Sequence, residues 1–414
     1  MAGTKNWLDV LKVRTGYGVS GNDQIGNYNS YTTYASNKYT AAYSLDGSNT
    51  SATTGFQPDA LGNEDVTWET TKTLNVGLNA TMLKRSLNFS LDVWQRNTSD
   101  MLFQKPIPNV VGLATAPNVN VGEMKNKGYD IELGYNNSAI GDKLKYSVNA
   151  TISHYKNEIV SITGDDPKVT FERGSLRQMS YTRLGVGHAF PEFYGYIVDG
   201  IFQTQAEADA YPQFGSTTYN APGHFKYRDI NGDKKITPDD RTFIGSPHPK
   251  FTGGLNIDLS YGNFDLNMFF YGSYGNKLVN YVTRWIDYGM FNGNLSKDAL
   301  YKSWGSPYLK NNADAILPKL DQNDNSQQPS TAFLQDGSFL KMKSLRLGYT
   351  VPKTILDKAQ IKSLRIYAQV SNLFTITNYK GLDPELNTSG DTMGLDQGAW
   401  PTARQIMFGI NLGL

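Results

Sequence analysis

Phe408-Gly409-Ile410-Asn411-Leu412-Gly413-Leu414 stands at the end of the sequence, and its alternation decides the fold class. Phe408, Ile410, Leu412 and Leu414 share one face of an extended strand, and Gly409, Asn411 and Gly413 share the other, because successive strand side chains point to opposite sides of the sheet. A strand of roughly 9–11 residues with one apolar and one polar face is the unit of an outer-membrane β-barrel, with lipid on one side and a wet lumen on the other. A half-buried strand of a soluble sheet alternates in the same way, so one strand does not separate the two.

Repetition and spacing carry more weight. About ten such runs occur, at residues 8–17, 74–82, 87–93, 129–135, 144–152, 255–261, 264–271, 339–349, 364–370 and 406–414. Tight turns at 83–86, 139–142 and 262–263 alternate with long irregular stretches at 21–62, 164–249 and 282–335, where short helices are expected at 205–210 and 297–304. Short turns at one end and long loops at the other are the asymmetry of a barrel with periplasmic turns and extracellular loops. A β-sandwich is spaced more evenly. Asp92, Asp258 and Asp265 fall on the polar faces, as a water-filled lumen allows.

Bulk composition agrees. With 414 residues and a net charge of +1 there is no electrostatic case for nucleic acid. Cysteine is absent, which excludes disulfides, thiolate zinc sites and cysteine nucleophiles and suits an oxidising compartment. Apolar residues make up 39% and mean hydropathy is −0.46, and no stretch approaches the roughly 20 apolar residues of a membrane helix. A barrel needs only every second strand residue to be apolar. The 26 Tyr, 19 Phe and 40 Gly fit aromatic girdles, and equally a carbohydrate-binding surface. Residues 1–8 lack the basic start and apolar core of a signal peptide, so the chain reads as truncated.

Five segments, in order, sharpen this. They are the run from Asn118-Val119-Asn120-Val121-Gly122-Glu123 to Gly128-Tyr129-Asp130-Ile131-Glu132-Leu133; Tyr194-Gly195-Tyr196-Ile197-Val198-Asp199-Gly200-Ile201-Phe202-Gln203; Asp229-Ile230-Asn231-Gly232-Asp233 through Asp239-Asp240-Arg241 to Ile244-Gly245 and Pro249; Phe270-Tyr271-Gly272-Ser273-Tyr274-Gly275-Asn276-Lys277; and Pro401-Thr402-Ala403-Arg404 before the final strand. Together, over residues 7–414, they resemble the C-terminal half of the barrel of SusC/RagA-type TonB-dependent outer-membrane transporters. The resemblance implies an all-β, antiparallel transmembrane barrel in the outer membrane, 22-stranded in that family. Residues 1–414 would supply about the last ten strands, with the plug, the TonB box and the first barrel half absent. It implies a SusD-like lipoprotein lid, the TonB complex reached through the missing N-terminal part, and glycan or peptide cargo. Gly409, Leu412 and Leu414 also resemble the signal read by the barrel-assembly machinery, with Leu414 in place of the usual aromatic residue and Met407 where a polar one is commoner.

Residues 229–240 resemble a twelve-residue calcium loop. Calcium takes six to eight oxygens, supplied from positions 1, 3, 5, 7, 9 and 12. Here these are Asp229, Asn231, Asp233, the Lys235 carbonyl, Thr237 and Asp240, with Ile236 at the apolar anchor. Lys234 stands where glycine permits the sharp turn, and Asp240 is shorter than the usual Glu. A polar turn without metal fits the same residues. Bound calcium would stiffen the loop against the repulsion of its carboxylates.

No catalytic constellation emerges. His154, His188, His224 and His248 are scattered and lack metalloprotease spacing, and Asp165-Asp166 and Asp239-Asp240 are adjacent loop carboxylates. Loop aromatics, namely Phe190, Phe193, Tyr194, Tyr196, Trp285, Tyr288, Trp304 and Trp400, fit stacking on sugars or packing among themselves. The sequence alone leaves two further readings, a secreted soluble β-rich sugar-binding or glycosidase domain and a passive porin.

Overall fold

The computed structural model describes residues 7–413 except 24–26, 37–40, 45–46, 48–52, 105–106, 108–109, 111, 113, 121, 163–170, 177–178, 216–218, 290–292, 322–325 and 358–359. Leu414 and the Asp165-Asp166 pair lie outside the described residues.

Ten long strands form one sheet: β1 (Leu8–Asn22), β2 (Glu69–Met82), β3 (Leu87–Ser99), β4 (Gly122–Ala139), β5 (Leu144–Ile162), β6 (Phe251–Tyr261), β7 (Phe264–Tyr274), β8 (Phe339–Thr350), β9 (Ser363–Thr377) and β10 (Gln405–Gly413). Each pairs antiparallel with its neighbours in sequence, so the sheet is a simple meander. The ten expected runs are all present. Most are longer than the alternation suggested, because pairing continues beyond the segment in which every second residue is apolar; β5 runs to Ile162 rather than 152.

Register converts the alternation into two surfaces. A single transverse row passes through Leu8, Met82, Leu87, Tyr135, Val148, Ile257, Met268, Leu345, Val370 and Ile406, apolar on every strand. That face points outward: Leu347 and Ile366, on internal strands, are still 50% and 47% exposed. A soluble sheet would bury such a row. Aromatic pairs bracket the aliphatic band. Tyr135–Tyr146 and Phe264–Tyr349 lie at the end of the short turns, with ring centroids 5.9 and 4.8 Å apart, and Tyr129–His154 and Phe251–Tyr274 lie toward the long loops, at 5.2 and 5.0 Å.

The opposite face is polar and cross-linked. Arg14 of β1 reaches Asp92 of β3 at 2.7 Å, across Gly77 of the strand between them. Arg365 of β9 grips Asp265 of β7 through Nε and Nη2 at 3.0 and 2.5 Å, across Gly348 of β8. A Cβ on Gly348 would collide with both partners, so the missing side chain is what lets the charges meet. Asn267 donates to Asp258 at 2.7 Å and to Asn256 at 3.0 Å.

Short turns adopt left-handed backbone where required: Leu83, Lys84 and Arg85 have φ of 55, 54 and 67°, and Gly262 has 57°. At the other end the long connections carry short strands and the helices Gln205–Ala210 and Lys297–Lys302, both as expected.

Two substitutions test this two-faced wall. Leu345→Arg puts a charge on the apolar face and is expected to destabilise the barrel by about 2–4 kcal/mol in lipid. Gln369→Arg, on the polar face, is expected to change stability by less than about 1 kcal/mol. Equilibrium unfolding of the complete barrel in bilayers measures both.

Candidate functional site

The long connections fold on one another. Leu176, Tyr181, Phe193, Tyr196, Phe225, Tyr227, Val279, Tyr281, Tyr288, Phe333 and Leu395 form one buried cluster drawn from three loops. Its aromatic contacts are close: Tyr196–Tyr227 centroids are 5.0 Å apart, Tyr288–Phe333 5.2 Å and Tyr181–Tyr281 5.9 Å. Burial raises the Tyr181 hydroxyl well above the ordinary tyrosine range and pushes Tyr196 up to about 12, since desolvation disfavours the phenolate.

This fixes the fate of the loop aromatics. Phe193, Tyr196 and Tyr288 lie in the core. Trp285 packs against them, and Trp304 donates its Nε1 to Gln203 Oε1 at 3.0 Å. Phe190 meets Phe103 edge-on at 6.5 Å. Tyr194 lies under the Arg183 guanidinium, 4.1 Å from its centroid. Only Trp400 of this set is fully open, at 96% exposure. His248 bridges Tyr155 and the Phe190 carbonyl, each at 2.9 Å, and burial lowers its pKa. That is a structural role.

A cavity of about 790 Å³ opens among these loops. Its lining combines Phe225 and Tyr288 with Asn280, Asp287, Asp298 and Lys380. Burial raises the Asp287 carboxyl, against the opposing pull of its hydrogen bond from Ser296. With those two rings buried in the core, the amide and charged groups are what the cavity offers, and they suit a polar ligand such as a polyhydroxylated or peptidic one.

The last long loop is pinned to the wall by a buried charge cluster that the sequence reading missed. Lys341 of β8 is only 1% exposed. Its Nζ donates to both Asp383 oxygens at 2.9 and 3.0 Å, to Glu385 at 2.7 Å and to Thr402 Oγ1 at 3.0 Å. Asp383 also accepts from the Thr402 amide and hydroxyl at 3.0 and 2.6 Å. Burial works against its ionisation, but bonds from Thr402, the Glu385 amide and Lys341 outweigh this and hold its carboxyl below the usual range. The available signal was Lys341 and Lys343 flanking Met342 between the apolar Phe339-Leu340 and Leu345, with Asp383 and Glu385 spaced alike in a later loop.

At 229–240, Asp229 accepts from the amides of Gly232 and Lys234 at 2.7 and 2.9 Å, Asn231 from Asp233 N at 2.9 Å, and Asp233 from Lys235 N at 2.8 Å. Asp240 is fully buried, accepting from Ile230 N at 2.9 Å and Thr237 N at 2.8 Å in a capping box. Asp229, Asn231, Lys235 and Asp233 thus share one exposed turn, while Asp240 points beneath it. The carboxylates accept hydrogen bonds from backbone amides, which offsets the repulsion expected among them. Lys234 takes the left-handed φ of 64° at the glycine position. Among the described residues no three His, Cys, Asp or Glu side chains gather as a metal centre.

An outward apolar band between aromatic belts, a charge-linked polar face behind it and a packed body of loops at one end define the wall of an outer-membrane β-barrel. The chain belongs to the TonB dependent receptor-like, beta-barrel family, whose sequence profile matches residues 4–373. It is 31% identical to TonB-dependent receptor P3 of Formosa agariphila over 98% of this chain and 40% of that protein. It is 28% identical to TonB-dependent receptor SusC of Bacteroides thetaiotaomicron, over 98% and 38%. Among solved structures, the RagAB peptide transporter superposes with a TM-score of 0.79 at 27% identity, covering 98% of this chain and 41% of that one. The chain therefore spans about two fifths of the length of the curated relatives it matches. This family consists of outer-membrane transporters and receptors, not enzymes, and no helix among the described residues is long and apolar enough to cross a membrane.

Lys341→Met would leave Asp383 buried without its cation and is expected to cost about 3–5 kcal/mol, read as faster proteolysis within 378–404 of the folded barrel. K341M/D383N is expected to lose less than the sum of the single variants. Because the folded carboxyl is depressed, docking of this loop should hold above the ordinary Asp value of about 3.9 and fail as pH falls through the lower folded value.

Proposed function

We propose that this chain forms part of the wall and the outer loops of an active importer that takes up oligosaccharides or peptides with a SusD-like lipoprotein lid. The observation that carries this is the packed loop body over a polar wall, with a cavity of about 790 Å³ between the loops. Cargo held under a lid would rest on the loop body. It would pass the polar face once a plug in the remaining part of the protein is displaced by the TonB complex. The wall residues take no chemical part: they supply a wet, charge-balanced surface in which Arg14–Asp92 and Arg365–Asp265 are mutually neutralised. Insertion would use the barrel-assembly machinery, through the final strand. The turn at 229–240 belongs to the proposal as a loop element whose exposed Asp229, Asn231 and Asp233 oxygens would take calcium as a stiffener.

The peptide reading draws on the RagAB peptide transporter likeness and the glycan reading on the resemblance to SusC/RagA-type importers, and under this proposal both require TonB-supplied energy. Loss of TonB is expected to abolish uptake of labelled cargo by cells carrying the complete transporter. Uptake that survives loss of TonB would establish a passive pore instead.

A further inference from the structure

The outward apolar face has a gap. Gly253 of β6 and Gly272 of β7 stand directly opposite each other in register, on the same parity as Leu255 and Phe270. Elsewhere along these strands that parity carries a large side chain; here two adjoining positions carry none. The result is a depression of about 740 Å³ floored by backbone and walled by Ile152, Leu255, Leu340 and Ile376. A Cβ on Gly272 would already lie 3.1 Å from the Phe339 carbonyl and 3.6 Å from Leu340 Cδ1. The floor is therefore as low as the sheet allows.

Its height is set by the strands. Each glycine lies nine residues from the Gly262–Asn263 turn, roughly 23 Å above it for a strand rise near 3.4 Å and a tilt near 40°. The apolar band of such barrels is about 25 Å tall, so the depression sits at the outer-leaflet edge, on the side of the long loops. The stacked Phe251–Tyr274 pair closes its upper end, with centroids 5.0 Å and planes 25° apart. Beyond that pair the rim turns polar. Ser338, Thr377 and Asn378 line the top.

We propose that this groove is a binding site for an acyl chain of an outer-leaflet membrane lipid, with the headgroup over Ser338 and Asn378. In lipid there is no hydrophobic drive to fill a hole, but side chains facing a gap forfeit their van der Waals contacts, and a chain that fits restores them. The shape favours a single chain over a protein. The groove is confined to β5–β9, whereas a stable protein interface buries about 1,200–2,000 Å², and the hydroxyl and amide rim matches a lipid headgroup rather than a second apolar wall.

The test uses the complete transporter in bilayers of phosphatidylethanolamine carrying a diazirine on the acyl chain, with crosslinks mapped by peptide mass spectrometry. Label is expected to be enriched about tenfold on segments 251–255, 270–274 and 338–342 over the apolar positions Val76, Leu78 and Leu91 of β2 and β3. Gly253→Leu and Gly272→Leu fill the floor and are expected to lower labelling to that background. Leu347→Val, on the same outward face but outside the groove, should keep the enrichment. Heat-modifiable gel migration confirms that each variant is folded, and a variant that fails to fold is replaced by Leu255→Phe, which narrows the groove from its wall. Even labelling along the wall, or labelling unchanged in folded floor variants, would overturn the proposal. So would crosslinking of these segments, in native outer membranes, to a second barrel or to the acyl anchor of a lipoprotein.

Discussion

Every backbone N–H and C=O that enters a bilayer must find its partner within the protein, because lipid offers none. That constraint orders this molecule. Ten consecutive strands meet it by pairing with their sequence neighbours, leaving only the outer edges of β1 and β10 as the ends of the described sheet, and side-chain alternation then divides what lipid tolerates from what water requires. Once the register places Leu8 through Ile406 in one apolar row, the positions between them must be polar, small or paired.

The polar face shows how charge is accommodated on such a wall. Arg14–Asp92 and Arg365–Asp265 each span two strands, and in each case the intervening strand offers glycine. The Arg365 guanidinium lies 5.2 Å from the Tyr367 ring, which covers Gly409 of the last strand. One chain of contacts thus ties β7 to β10. The outer loops are anchored differently. Their aromatic core holds them to each other, and the buried Lys341–Asp383–Glu385 cluster holds the last of them to β8.

How much of this was legible depended on the length scale of the contact. The strands at 74–82 and 264–271 could be read because alternation is local, and both hairpin turns lie beside them. Strand ends could not, since pairing beyond the apolar segment leaves no periodic trace. The order of five short segments resembled one transporter family, and that resemblance holds. The loop body was not legible: Phe193, Tyr196 and Tyr288 come from loops nearly a hundred residues apart, so nothing near each ring showed whether it faced cargo or core. Lys341 was missed for the same reason, its partners Asp383 and Thr402 being remote in sequence. At 229–240 the spacing suggested six ligands, but only the structure showed that Asp240 serves the capping box beneath the turn.

The absence of cysteine from all 414 residues makes the central claim directly measurable. Single cysteines at Leu266, Leu345, Val370 and Ile406, and at Asn256, Ser344, Gln369 and Gln405, can be placed in the complete transporter in outer membranes and treated with a membrane-impermeant, water-soluble maleimide and a lipophilic one. The account predicts strict alternation, with the first set reacting only with the lipophilic reagent and the second set with the water-soluble one. Equal reactivity of both sets toward the water-soluble reagent would contradict it.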